Sequence, residues 1–389
     1  MKLSVFNPSD YPRGGHVSAP WPEIAQHSGI GPGSLVVRDS RGTVLPHQVV
    51  QVDPDDRSRD TLVFALHPGH KVPAARLDDY SESTDWVSLE EGRPDPTVGV
   101  RAIAREIRGP DGTVRAVELT NGILTVWLNL GPFNCGASSR PCYGGSAVSV
   151  RVGDIEMLDP LQSMVGPHDH DPEKRAMQID RVRVVLPGWE EQVYHEEPLF
   201  ARSWAAVSTT MGPVRAIITI ASEPFEYACT DLATATRHRL DCRLYRTISL
   251  STGANCLVEE LFVKGSLPGS ADGRGAIRLS FAARYFAHMY YGHLPPIYHF
   301  RNIPDWFAIA YGDRPYPGYG FATDAHASPV AYPHEGHERR FSWWVWPSKT
   351  ARCLHLFLAN QPGHIDSATG HCWYEMIYRP LKAEIAKEP

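Results

Sequence analysis

Six of the eighteen histidines and eight of the sixteen tyrosines fall between Arg284 and Arg340, a stretch of 57 residues. The densest part runs from Arg284 to His299. A second knot, Tyr332-Pro333-His334-Glu335-Gly336-His337-Glu338-Arg339-Arg340, follows. Imidazole titrates near neutral pH, and a phenol with a tuned pKa can give or take a proton. Arginines at 284, 301, 339 and 340 add groups that grip a carboxylate through two hydrogen bonds. Such a set suits proton transfer on a hydroxylated, acidic substrate.

β-Elimination from a uronic acid needs these three types. A cation or strong donor neutralises the carboxylate and acidifies the neighbouring C–H. A base removes that proton, and an acid protonates the leaving oxygen. Arg301 and Arg339 are the candidate grips, and His288, His293 and His334 the candidate bases. Tyr290 or Tyr291 is the candidate acid. On a strand, His288 and Tyr290 share one face while Tyr291 and His293 share the other, so one pair alone can face a cleft. Gly292 and Pro295-Pro296 put Tyr291 and His293 where a strand opens into a loop, which favours that pair.

Sugar recognition also needs flat aromatic platforms. Trp306, Tyr316, Tyr319 and Trp344 are the candidates for substrate binding. Trp343 to Trp346 would equally fill a sandwich core. Glycoside hydrolysis would instead require two carboxyl groups roughly 5–10 Å apart. Glu190, Glu191, Glu196, Glu197, Asp305, Asp313, Glu335 and Glu338 are available, without a spacing that selects two. His168-Asp169-His170-Asp171 could hold a divalent metal through His168 and His170. A solvated polar loop reads the same way, and no cofactor is firmly implied. There is no nucleophile elbow, phosphate loop or dinucleotide fingerprint.

The elements that must position these residues are strands. Segments such as Thr61-Leu62-Val63-Phe64-Ala65-Leu66, Val214 to Ile220, Leu257 to Val263 and Leu354 to Leu358 alternate or are β-branched. The 33 prolines and 32 glycines punctuate them at short intervals. Helical signal is scarce outside Pro22 to His27. No solenoid or propeller period is visible. The polar, proline-broken stretch Leu89 to Pro96 predicts a boundary, with a small β-domain over 1–95 and a larger one over 96–389. The larger part has strands enough for an antiparallel super-sandwich.

A net charge of −6 and a pI near 6.3 argue against nucleic acid as a partner. No apolar run approaches a membrane span. The start, Met1 to Pro8, has no apolar signal core, so the expected location is the cytoplasm. Seven cysteines at irregular spacing, none in CxxC, read as reduced thiols.

Two groups of residues carry a resemblance. Val5-Phe6-Asn7-Pro8 with Arg13, Val17, Pro20 and Trp21, then Asp39, Gly42 and Leu45-Pro46-His47-Gln48, are similar to the small β-domain that precedes super-sandwiches in carbohydrate-active enzymes. The α-mannosidase C-terminal region and the exo-acting rhamnogalacturonan lyase family both show it. Leu119-Thr120-Asn121-Gly122-Ile123-Leu124, Gly212-Pro213-Val214-Arg215-Ala216 and Tyr245 to Gly253 resemble strands of the galactose-mutarotase-like super-sandwich in those lyases. None of these is a catalytic motif, and fold does not fix function. The helical toroid of the lyases has no counterpart within this length. The resemblance implies an all-β, mutarotase-like enzyme that takes an oligosaccharide substrate by β-elimination. A glycoside hydrolase or a non-catalytic carbohydrate-binding protein is the alternative. A homo-oligomer could wall the cleft where a toroid would stand.

Overall fold

The computed structural model describes residues 1–9, 11–51, 56–74, 85–94, 102–130, 133–134, 141–142, 145, 147–157, 178–184, 195–198, 204–230, 237–266, 275–282, 288–291, 306–310, 318–323, 326–331, 340–346, 350–358, 376–377 and 379–386. For the strands at 178–184, 195–198, 225–230, 275–282, 288–291, 306–310, 326–331 and 340–346 the description is of the backbone.

Alternation dictates the first sheet. In Lys2–Phe6 and His16–Pro20 the residues Leu3, Val5, Val17 and Ala19 turn inward and are buried. The sheet has seven strands, ordered Leu35–Asp39, Asp85–Glu91, Lys2–Phe6, Lys382–Ile385, His16–Pro20, Thr61–Ala65 and His47–Val50. Its core joins Leu35, Val37, Leu62, Phe64, Val87 and Leu89 to Trp21 and Ile24 of the helix Trp21–Ser28. Pro22 suits the first turn of that helix. Gly29, in the left-handed region at φ 66°, ends it by donating to Ala25 O at 3.0 Å.

The strand Lys382–Ile385 lies in the middle of this sheet. It runs antiparallel to Lys2–Phe6, with Leu3 opposite Ile385 and Val5 opposite Ala383, and parallel to His16–Pro20. The small sheet thus draws on both the first 91 residues and the far end of the chain.

Most of the remaining strands form three antiparallel sheets. One orders Ile155–Glu156, Ala147–Val152, Leu124–Asn129, Val114–Thr120 and Ile103–Arg108. A second orders His195–Pro198, Gln178–Val184, Gly275–Ala282, Arg340–Trp346 and His326–Ala331. The third has nine strands. Its path is Trp204–Thr210, Arg215–Ser222, Arg237–Ser251, Cys256–Ser266, Thr350–Leu358, Gly318–Thr323, Trp306–Ala310 and His288–Tyr291, with Phe225–Thr230 paired to Arg237–Ser251. The protein is all-β, an antiparallel super-sandwich joined to a smaller sheet, as the alternation predicts. Among the described residues no helix is long and apolar enough to cross a membrane.

Two side chains tie the parts together. Asn121 donates from its amide nitrogen to Ser251 O and Ala254 O, both at 2.6 Å. Its Oδ1 accepts from the Ile123 and Leu124 amides. That one residue pins a hairpin of the five-stranded sheet to a hairpin of the large one. Gly122, at φ 84°, supplies the turn beside it. Gln48 plays the same part for the small sheet. Its Nε2 donates to Arg215 O at 2.9 Å, and its Oε1 accepts from the Val214 and Arg215 amides. Val50 and Val63 pack there on Val214 and Ile217.

Candidate functional site

The strand His288–Tyr291 ends the large sheet's path, and its register decides what the histidine–tyrosine tract can share a face with. Tyr291 lies opposite Phe307, Phe307 opposite Phe321, and Phe321 opposite His355. Directly opposed residues share a face, so these four form one row across four strands, spanning ~14 Å from end to end. Tyr319, two residues before Phe321, takes the same face. His288 pairs with Ala310 and Tyr290 with Ala308 on the other face, with Trp306, which pairs with Ala322. Trp344 belongs to the second five-stranded sheet, opposite Arg278 and Ser328. His293, Arg301, His334, Arg339, Tyr316, His168 and His170 lie outside the described residues. Among the described residues no group of three or more histidine, cysteine or carboxylate side chains is placed to hold a metal.

The inner end of the row rests on a buried charge cluster that sequence reasoning did not single out. Arg246, Glu259 and His355 all lie on this face and are at most 1% exposed. The Arg246 guanidinium is ion-paired with Glu259, and its Nη2 donates to Glu259 Oε2 at 3.2 Å. Its Nη1 donates to the carbonyl of Gly145. His355 Nε2 sits 3.0 Å from Glu259 Oε2. A carboxylate only accepts, so Nε2 carries the proton. The imidazole meets Phe321 edge-on, with ring centroids 5.1 Å apart.

Burial alone would raise the Glu259 pKa. Arg246 and His355 outweigh it and hold the carboxyl below its ordinary value. Glu259 is therefore ionised, and it fixes both the tautomer and the orientation of His355. The cluster meets the row where His355 lies against Phe321. Trp204, paired with Ser222, is on the same face. A Cβ on Gly145, which has φ 75°, would overlap its indole.

A clue to the cluster lay in the alternation. Arg246 falls in phase with Leu244, Ile248 and Leu250, and Glu259 with Leu257 and Leu261. A charged residue in the apolar phase of a central strand needs a buried partner.

The opposite face of the large sheet meets the small one. Glu260 there accepts from Arg352 Nε at 3.2 Å, and Arg59, in the turn Arg57–Arg59 before the small sheet's strand Thr61–Ala65, lies 3.6 Å from it. The Arg59 guanidinium also stands 5.2 Å from the centre of the Phe262 ring, which stacks on Tyr245 at 4.8 Å. Arg215 Nε donates to Ser251 Oγ at 3.1 Å. Burial, helped by Arg215, lowers the His16 pKa to about 4. Cys256 and Cys353 are buried thiols, and Cys353 Sγ donates to Thr323 Oγ1. Burial pushes Cys256 up to about 11 against the pull of Arg215, so it is no nucleophile.

No family model matches the chain, and no curated protein matches its sequence. Among solved structures it is similar to an α-mannosidase from Enterococcus faecalis V583. The TM-score is 0.57 and the identity 10%, over 98% of this chain and 45% of that one. It is likewise similar to a protein of glycosyl hydrolase family 38 from Enterococcus faecalis. There the TM-score is 0.55 and the identity 11%, over 98% of this chain and 47% of the other. The chain shares its fold with part of both. It spans less than half the length of either neighbour. At this identity the likeness is one of fold.

Proposed function

We propose that this is a carbohydrate-active enzyme that cleaves a glycosidic bond, with its sugar site at the His288–Tyr291 end of the large sheet. The observation that carries the reading is the match of 98% of the chain to two structures named for glycoside hydrolysis. The row led by Tyr291 supports the location, because Tyr291, Phe307 and Tyr319 set aromatic residues on one face of adjacent strands. Hydrolysis is the first reading. It needs an acid and a base carboxyl. Glu259 is excluded from that pair by its buried partners, and Glu196 and Glu197 lie in the edge strand His195–Pro198.

β-Elimination is the second reading, favoured by the tract itself. Tyr291 with His293 would transfer the protons, and Arg301 or Arg339 would neutralise the uronate. His288 and Tyr290, on the opposite face, are the alternative pair, and His334 is a further base. Trp306, Tyr316 and Trp344 are further platforms. Within either reading we take residues 1–95, completed by Lys382–Ile385, as one domain and the super-sandwich as the other.

The test is incubation with neutral mannosides and with uronate-containing oligosaccharides. New reducing ends without an unsaturated-uronate absorbance establish hydrolysis. Reducing ends with that absorbance establish elimination. Neither product from either substrate sinks the enzymatic reading.

A further inference from the structure

Seven large hydrophobic side chains among the described residues are exposed, and four of them gather around one sheet. Ile103 (44%), Ile123 (39%) and Trp127 (40%) belong to the five-stranded sheet containing Leu124–Asn129 or to its hairpin turn. Met211 (58%) precedes Gly212, which bridges to Ala102 beside Ile103. Large apolar groups left in water lose the stabilisation that burial brings, so a cluster of them calls for a reason.

The polar neighbours of Trp127 indicate one. Its Nε1 donates to Glu118 Oε2 at 2.7 Å, and Glu118 Oε1 accepts from Arg105 Nε at 2.9 Å. Arg105, Glu118 and Trp127 are directly opposed on three successive strands, with Ser149 next in the row. The chain of bonds fixes the indole while its surface stays open. In the adjoining row Thr125 donates to Thr120 Oγ1 at 3.0 Å, with Ile103 opposite Thr120.

We infer that this outer face is a sugar-binding platform, separate from the tract, that stacks a neutral hexose ring on Trp127. The C–H face of a pyranose stacks on an exposed indole, and the Trp127 ring is held by its Nε1 bond to Glu118. Its hydroxyls find the donors of Arg105, the remaining lone pairs of Glu118 and the two threonine hydroxyls. From Trp127 to Ile103 is two strand spacings across and two residues along, ~12 Å, room for more than one ring. Charge selects the neutral sugar. Arg105 is already matched by Glu118, whose carboxylate repels a uronate. The choice of a sugar as occupant rests on the carbohydrate-active reading above, while the platform geometry does not.

The test is calorimetric or NMR titration of the whole protein with mannotriose and cellotriose, with trigalacturonate as the charged comparator. The parent is expected to bind at least one neutral trisaccharide, and trigalacturonate at least tenfold more weakly at this face. W127A is expected to lose at least tenfold in affinity and W127F to keep most of it. Turnover of a short substrate should be unchanged in both variants. The inference is overturned if W127A binds the neutral sugars like the parent, or if no trisaccharide binds. It is also overturned if W127A instead dissolves a self-associated form, which would make the face a protein contact. Turnover without Trp127-dependent binding defeats this inference alone. Trp127-dependent binding without turnover defeats the enzymatic reading alone.

Discussion

The residue with most at stake is Glu259, because two buried partners depend on its charge. Removing it leaves Arg246 uncompensated in the interior. E259A should lose about 3–5 kcal/mol in denaturant unfolding, whereas replacing Arg246 and Glu259 together by apolar residues of like volume should cost far less. Equal losses would mean that the pair is not coupled. Acid acts on two groups in separable windows. His16 takes up a proton near 6.5 when unfolded but only near 4 when folded, so stability falls as pH drops from about 6.5 to about 4. The loss is of order 1–3 kcal/mol at full extent. The depressed Glu259 acts in the same direction at lower pH. Its stabilisation is complete above its ordinary value of 4.5 and is lost as pH falls below it. H16Q should therefore flatten the upper part of a stability–pH curve and leave the lower part. An unchanged curve between 6.5 and 4.5 would contradict the assignment. At this scale the sequence was readable where chemistry is local, as with the helical signal of Pro22 to His27 inside the helix Trp21–Ser28. It was mute on pairing. Nothing in Arg246 or His355 alone says that strands 96 residues apart, at 259 and 355, bring them to one carboxylate.

At the scale of elements, period-two alternation found several strands, including Arg215–Ser222, Cys256–Ser266 and Thr350–Leu358, with ends shifted by a few residues. Order across a sheet was not legible, since pairing is fixed by contacts distant in sequence. The clearest case is Lys382–Ile385, a strand of four residues whose charged, alternating sequence gives no hint that it fills the centre of the first sheet. Truncation after Pro380 removes hydrogen-bonding partners from both Lys2–Phe6 and His16–Pro20. It should expose Leu3, Val5 and Val17 and leave the small sheet open to limited proteolysis. A truncated protein as resistant as the parent would refute that dependence. Register also gives the tract a sharp test. Y291F should lower kcat by about 100-fold with little change in KM if Tyr291 transfers a proton from the Phe307–Phe321–His355 face. H288Q, on the other face, should change kcat only a few-fold, and the reverse ranking would move the active face.

At the scale of the whole molecule, Gln48 joins the small sheet to the large one and Asn121 joins the five-stranded sheet of Leu124–Asn129 to the large one. Each satisfies backbone groups of a neighbouring sheet with a single amide. Q48A should cost about 1–3 kcal/mol by leaving the Val214 and Arg215 groups unpaired. It should also blunt the His16 effect by admitting water at Arg215. The motifs that carried the resemblance, around Gln48, Asn121-Gly122 and Gly212-Pro213-Val214-Arg215-Ala216, turn out to be these joints. They identified an architecture because they hold it together, and for the same reason they were silent on chemistry.

Whether that architecture cleaves sugars is settled most directly by weighing the products. Intact oligosaccharide is incubated with the protein and the fragments are measured by mass spectrometry. Hydrolysis, the first reading, predicts fragments that sum to the substrate plus one water. Elimination predicts fragments that sum to the substrate alone, one of them unsaturated. Intact substrate after prolonged incubation, with neutral and uronate-containing oligosaccharides alike, would contradict the claim that this chain is a carbohydrate-cleaving enzyme.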